Sequence, residues 1–172
     1  SERRRVDDLR CELARNPLGV DRLKPQLSWR MASSVRGDRQ TAYRVLASAS
    51  AGALAENKGD LWDSGKILGA ESLHVRYGGA PLSSSQQVFW KVRCWNRDDE
   101  PTEWSEPGTW TMGVLDEADW GAEWIVAPWQ TEAVLMRREF EVRPGLERAV
   151  VHVCGLGQFE LTFNGRKAGR LG

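Results

Sequence analysis

Acidic side chains crowd most closely at Asp98, Asp99 and Glu100. Two carboxyl groups can divide general acid and general base work, provided that a cleft raises the pKa of one of them. These three follow Asn96 in a run of turn residues, where solvent and chain mobility oppose such tuning, so they read as a solvated turn. Asp7 and Asp8 read the same way. Asp60 and Asp63 flank Trp62, a pattern a sugar or calcium subsite could use, but a turn that lays Trp62 on an apolar core is the simpler reading. His74 and His152 stand alone in alternating segments, without the further ligands or nucleophile that a zinc site or a catalytic triad needs. Gly155-Leu156-Gly157 lacks the helix that follows a phosphate loop and reads as a bend between strands. The residues therefore nominate no catalytic, cofactor-binding or metal-binding set.

Two further residue classes bear on chemistry. Cys11, Cys94 and Cys154 are widely spaced within apolar patterns and read as buried, reduced thiols, with a Cys11–Cys94 bridge open in a secreted protein. The nine tryptophans belong mainly to core packing, with one or two rings left to stack on a sugar. Trp104-Ser105-Glu106-Pro107 resembles the tryptophan-serine signature of receptor-type fibronectin domains, and the resemblance implies that Arg93 or Lys91 of a neighbouring strand stacks on the indole in a structural role.

The elements that hold these residues are strands. In the stretch from Gln86 to Gly113, Val88, Trp90, Val92 and Cys94 alternate with Phe89, Lys91, Arg93 and Trp95, the period of a half-buried strand. Residues 96–100 turn the chain, Pro101 interrupts the ladder, and Trp110 and Met112 lie on the inner face of the returning strand. The same alternation marks Leu9, Cys11 and Leu13; Leu27, Trp29 and Met31 after Pro25; Tyr43, Val45 and Ala47; and Leu73, Val75 and Tyr77. A short edge strand around Trp62 completes the set, and Ser50 caps one helical turn containing Leu54. Short strands, turn chemistry and almost no helix predict an all-β antiparallel sandwich of about seven strands in about 100 residues. Beyond residues 116–124 the alternation lapses, then resumes at Met136–Val142, Ala149–Val153 and Phe159–Phe163, closing on the hairpin signal Asn164-Gly165. These strands make half a sandwich, whose apolar face needs a second sheet.

Lysine plus arginine equals aspartate plus glutamate at 24 each, which gives no reason to expect nucleic acid or a charged membrane as partner. No apolar run approaches the about 20 residues of a membrane span, and no apolar stretch follows the initial arginines as in a signal peptide. The expected location is cytoplasmic, or secreted if a leader has been removed.

LRCEL with NPLGV, KPQLSWR, RGDRQTAYRVLAS, GDLWDSGK, FWKVRCWNRDDEPTEWSEPGTWTMG, the W-x-A-x-W-I run from Trp120 to Ile125, MRREFEV ending at Val142 and VCGLGQFELTFNGRKAG ending at Gly169 occur in an order that resembles the N-terminal part of the bacterial α-L-rhamnosidases of glycoside hydrolase family 78. The resemblance implies a fibronectin type III-like sandwich over residues 1–115, a linker over 116–132, and over 133–172 the first strands of a second, jelly-roll-like and carbohydrate-binding-like sandwich. It also implies catalysis by acidic residues of a distant (α/α)6 barrel, with inversion. An inverting pair stands about 6.5 to 9.5 Å apart in a sugar-sized cleft, and nothing in the 172 residues matches that barrel. In some members the second region binds rhamnose and can require calcium. There the family continues with an acidic residue and a proline-glycine-tryptophan turn, where this chain has Arg170, Leu171 and Gly172.

The expectation is therefore a non-catalytic accessory region of an enzyme that removes terminal α-L-rhamnose from glycosides. No cofactor is expected in the chain itself, and the resemblance leaves calcium open for the full-length parent. Expected partners are the C-terminal domains of the same parent, its rhamnosylated glycoside, and a second copy meeting the open second sandwich. The alternative is a free-standing adhesion or carbohydrate-binding module with no enzyme activity.

Overall fold

The computed structural model describes residues 4–128 and 133–168. The chain divides into two compact units, Ser1–Val126 and Ala127–Gly172.

In the first unit, β1 (Arg4–Cys11), β2 (Gln26–Ser33) and β6 (Val75–Arg76) form one antiparallel sheet in the order β1-β2-β6. The second sheet runs β4-β3-β7-β8, with β3 (Ala42–Ser48), β4 (Trp62–Asp63), β7 (Gln87–Trp95) and β8 (Gly108–Thr111); β5 (Ile67–Leu68) also pairs with β3. The expected hairpin is β7 and β8, in the register Val88↔Trp110 and Trp90↔Gly108. Val88, Trp90, Val92 and Cys94 are buried against Tyr43, Val45 and Ala47 of β3 and against Val6, Leu27 and Trp29 of the facing sheet. Period-2 alternation thus places one row of side chains from each sheet in a shared core. This is an all-β sandwich.

Aromatic rings organise that core. Trp62, Tyr77, Trp110 and Trp90 meet edge to face in sequence, with centroid separations of 5.4, 5.7 and 6.2 Å. Such tilted pairs set the positive edge of one ring against the negative face of the next. Gly79 permits the approach of Trp62, since a Cβ there would lie 2.2 Å from the Leu61 carbonyl oxygen and 2.5 Å from the Tyr77 hydroxyl. The only α-helix among the described residues, α1 (Ala51–Ala55), starts at Ser50, whose hydroxyl accepts from the Ala53 N–H at 3.2 Å; Leu54 is its buried residue.

Several details depart from the alternation. β1 starts at Arg4 and carries an irregularity between Asp7 and Arg10, with Asp8 at φ 53°; Cys11 then bridges to Ala14 in a tight turn. Leu13, expected inside, is consequently left exposed at φ 68°. His74 lies outside any strand, at φ 58°, its Nδ1 2.9 Å from Gln26 Oε1. The outer edge of β8 is covered from far back in the sequence: Val20 N–H donates to the Thr111 carbonyl at 2.9 Å, Thr111 N–H to Pro17 at 3.0 Å, and Gly113 N–H to Val20 at 2.8 Å.

In the second unit, β9 (Thr162–Phe163) and β10 (Arg166–Lys167) form the hairpin signalled by Asn164-Gly165, whose φ angles of 49° and 77° suit a tight primed turn. Among the described residues, Met136–Val142 and Ala149–Val153 form no ladder, and Phe159–Phe163 forms one over its last two residues alone. An alternating pattern supplies one face of a strand but no lateral partner, and Leu135, Phe140 and Val151 remain exposed. Cys154, expected buried, is exposed for the same reason. The departure from the family at Arg170, Leu171 and Gly172 lies outside the described residues.

Candidate functional site

Each acidic group of the first unit singled out above is engaged in an ion pair or a turn. At the tip after β7, the Asn96 Oδ1 accepts from the N–H groups of Asp98 at 3.0 Å and Glu100 at 2.9 Å, closing a side-chain-capped turn. Glu100 receives Arg4 at 2.6 Å, Asp99 receives Lys66, and Arg97 lies 3.8 Å from Asp98. Asp7 accepts from Arg30 at 2.8 Å and Arg5 at 3.0 Å, and Asp8 from Arg15 at 2.5 Å and Arg10 at 3.1 Å. Arg44 grips Asp63 through two hydrogen bonds of 2.9 and 2.6 Å, while the Gly65 N–H donates to Asp63 at 2.9 Å. Asp60 accepts from the Ala49 N–H at 3.1 Å.

The electrostatic consequence runs against acid catalysis. The Arg30 guanidinium holds the Asp7 carboxyl below its ordinary range, Arg15 does so for Asp8, the Ser48 hydroxyl for Asp60, and Arg44 for Asp63. At Asp38 burial pushes upward, but donation by Ser33, Arg4 and the Arg39 N–H outweighs it, and that carboxyl too is lowered. A general acid working near neutrality needs a raised carboxyl. These groups are ionised anchors.

Trp62 packs on Tyr77 and the core, as the packing-turn reading requires. No group of three histidine, cysteine, aspartate or glutamate side chains able to hold a metal ion occurs among the described residues. Cys11 and Cys94 are free thiols, buried and each pushed up to about 12 by desolvation. The Cys94 Sγ donates to Gln40 Oε1 at 3.0 Å, the same oxygen that accepts from the Trp29 indole at 2.9 Å. Gln40 also donates to the Glu71 carbonyl at 2.8 Å, so it ties two strands and a loop. No sequence signal marked Gln40, because its partners are distant along the chain.

Two open grooves mark the first unit. One, of about 610 Å³, runs between β1 and residues 103–108 and is lined by Asp7, Asp8, Arg15, Arg30 and Trp104 among others. The other, of about 570 Å³, lies over β2, bounded by Leu13, Arg39 and Leu73 and reaching Trp29. Each groove is lined by a single tryptophan, and Trp29 is buried. Neither presents the pair of exposed rings that would mark a sugar platform.

The cation stack on Trp104 is present. The Arg93 guanidinium lies 4.7 Å from the ring centroid and the Lys91 Nζ 5.2 Å. Ser105 fixes the segment to β7: its N–H donates to the Val92 carbonyl at 2.9 Å, and its hydroxyl accepts from the Val92 N–H at 3.1 Å. A third cation, Lys66, lies 4.8 Å from the centroid of the Trp95 ring.

Comparison with known proteins agrees with this architecture. An α-L-rhamnosidase of Formosa agariphila is 34% identical over 163 residues, covering 88% of this chain and 18% of that protein. The solved α-L-rhamnosidase of Streptomyces avermitilis, complexed with L-rhamnose, superposes with a TM-score of 0.69 at 42% identity, covering 73% of this chain and 12% of that one. The enzyme from Dictyoglumus thermophilum gives the same TM-score at 38% identity, covering 71% of this chain and 14% of its own. The chain thus spans less than a fifth of the length of each of these relatives. Residues 6–116, the sandwich that holds these ion-paired aspartates, match a family description of their own, and on that match this chain belongs to the Rha78A-like, N-terminal immunoglobulin domain family.

Proposed function

We propose that the chain is the non-catalytic N-terminal accessory region of an α-L-rhamnosidase, a hydrolase that releases terminal α-L-rhamnose from glycosides. The observation that carries this reading is the state of its carboxylates. Asp7, Asp8, Asp60 and Asp63 are all held ionised by hydrogen bonds, and Asp7 and Asp8, which line the groove beside Trp104, are each bound to two arginines. Inverting hydrolysis needs one raised and one ionised carboxyl group flanking a scissile bond, so the chemistry belongs to residues outside this chain. The relatives support the same division, since each matches over a small part of a much longer enzyme. The exposed apolar side chains of the second unit, among them Leu135, Phe140 and Val151, suit a surface covered by further sheet of the parent protein.

Release of 4-nitrophenol from its α-L-rhamnoside tests the proposal. The 172-residue chain should give none, and the complete reading frame that contains it should be active. Turnover by the short chain would place the catalytic acids here after all, and silence of the complete protein would remove it from the rhamnosidases.

A further inference from the structure

β2 has 8 residues, but β6 pairs with Gln26 and Leu27 alone. Beyond these the Trp29 N–H still donates to the Ser72 carbonyl at 2.9 Å, and the chain before Ser72 comes from the side of β3, where the Gly69 N–H donates to the Thr41 carbonyl at 2.8 Å. In an antiparallel ladder the backbone groups of successive residues turn to opposite sides of the strand. Met31 and Ser33, like Trp29, therefore turn their N–H and C=O groups away from β1, and among the described residues no backbone group meets those of Met31 and Ser33 there. The groove of about 570 Å³ takes in this edge, since Trp29 and Met31 line it together with Ala70 and Ser72. Leu13 and Leu73 on its border are exposed, as are Arg30 and Arg39. Asp7 holds Arg30, whereas Arg39 has no ion pair among the described residues.

We propose that the β2 edge at Met31 and Ser33 receives an extended peptide segment in which acidic residues alternate with apolar ones. An unpaired strand edge is a template for one more strand, and a peptide so added gains affinity from main-chain hydrogen bonds and specificity from alternate side chains. Its apolar side chains have Leu13, Met31 and Leu73 to cover, and its carboxylates have Arg39, which can take them in charge-assisted hydrogen bonds. A second copy of this chain is the poorer occupant, because pairing of two β2 edges would bring the arginines of both copies together.

Amide hydrogen exchange of the 172-residue chain, read by mass spectrometry with and without an octapeptide of alternating glutamate and valine, tests this. At saturating peptide and low salt, exchange in the fragments that cover residues 29–33 should slow by about tenfold or more, while fragments from β3 and β7 stay as they were. Arg39→Glu, a change at an exposed side chain, should raise the Kd by about fivefold or more. The same octapeptide with its backbone nitrogens methylated along one edge keeps every charge and side chain but cannot complete the ladder, and it should give no protection. Unchanged exchange at residues 29–33, equal protection by the methylated peptide or by an octapeptide of alternating lysine and valine, or an unaltered Kd in Arg39→Glu would each overturn the assignment. Protection that grows with the concentration of the chain alone would overturn it in favour of a second copy.

Discussion

Trp104 holds Arg93 and Lys91 against one indole, and that arrangement makes a stability statement. Trp104→Ala should lower the free energy of unfolding by about 1 to 2 kcal/mol, the range for a partly desolvated cation stack with its lost packing; Trp104→Phe should recover part of it. Urea denaturation with an unchanged slope would check both. The Trp-Ser pair made this contact legible in the sequence, because a serine that bonds back to the neighbouring strand fixes the indole over that strand's outward cations. The Asn57 acceptor of Lys91 was not legible, since 34 residues separate the two and no local pattern joins them. The thiols divide by environment: Cys154 is exposed, whereas Cys11 and Cys94 are buried and raised to about 12. A mild thiol reagent near pH 8 should therefore modify Cys154 rapidly and reach the other two only after unfolding, which mass spectrometry of the labelled peptides would show.

At the scale of elements, β2, β3 and β7 were readable because an apolar residue at every second position admits only one face toward the core. β5 was not: two exposed residues, Ile67 and Leu68, carry no period, and only pairing with Ala42 and Tyr43 makes them a strand. The irregularity in β1 escaped for a related reason, since Leu9, Cys11 and Leu13 keep their alternation in sequence while the backbone at Asp8 breaks it in space. The crossing of residues 61–62 over 77–79 depends on Gly79. Gly79→Ala should cost about 3 kcal/mol, because the new methyl meets a backbone oxygen that cannot yield. Gly121→Ala, whose methyl would meet nothing within 4 Å, should be close to neutral. Thermal melts of the two variants side by side would separate them.

For the whole molecule, the lowered carboxyl groups set the response to acid. Asp7, Asp8, Asp38, Asp60 and Asp63 all have folded-state pKa values below the ordinary carboxylate value. A group lowered on folding stabilises the native state above its unfolded pKa, and that contribution disappears as pH falls through the folded value. The melting temperature should therefore hold from neutrality to about pH 4 and fall below it. Salt should have less effect on the share from Asp38, whose side chain is almost wholly enclosed, than on the share from the exposed pairs. Residues 127–172 should govern association: the full chain should bind a hydrophobic dye and run larger than a monomer on gel filtration, and a chain ending at Val126 should do neither.

The covering of β8 by residues 16–20 also constrains how the first unit is made. A growing polypeptide leaves the ribosome from its N-terminus, so Pro17 and Val20 emerge long before the Thr111 and Gly113 groups with which they bond. β1 and β2 can pair early, but the segment between them has no lateral partner until synthesis has passed residue 113 and that stretch has cleared the exit tunnel. Closure of the sandwich is then a late event that joins the two ends of the domain. Pauses in translation before that point would prolong an intermediate with a bare sheet edge, the species on which a chaperone would act.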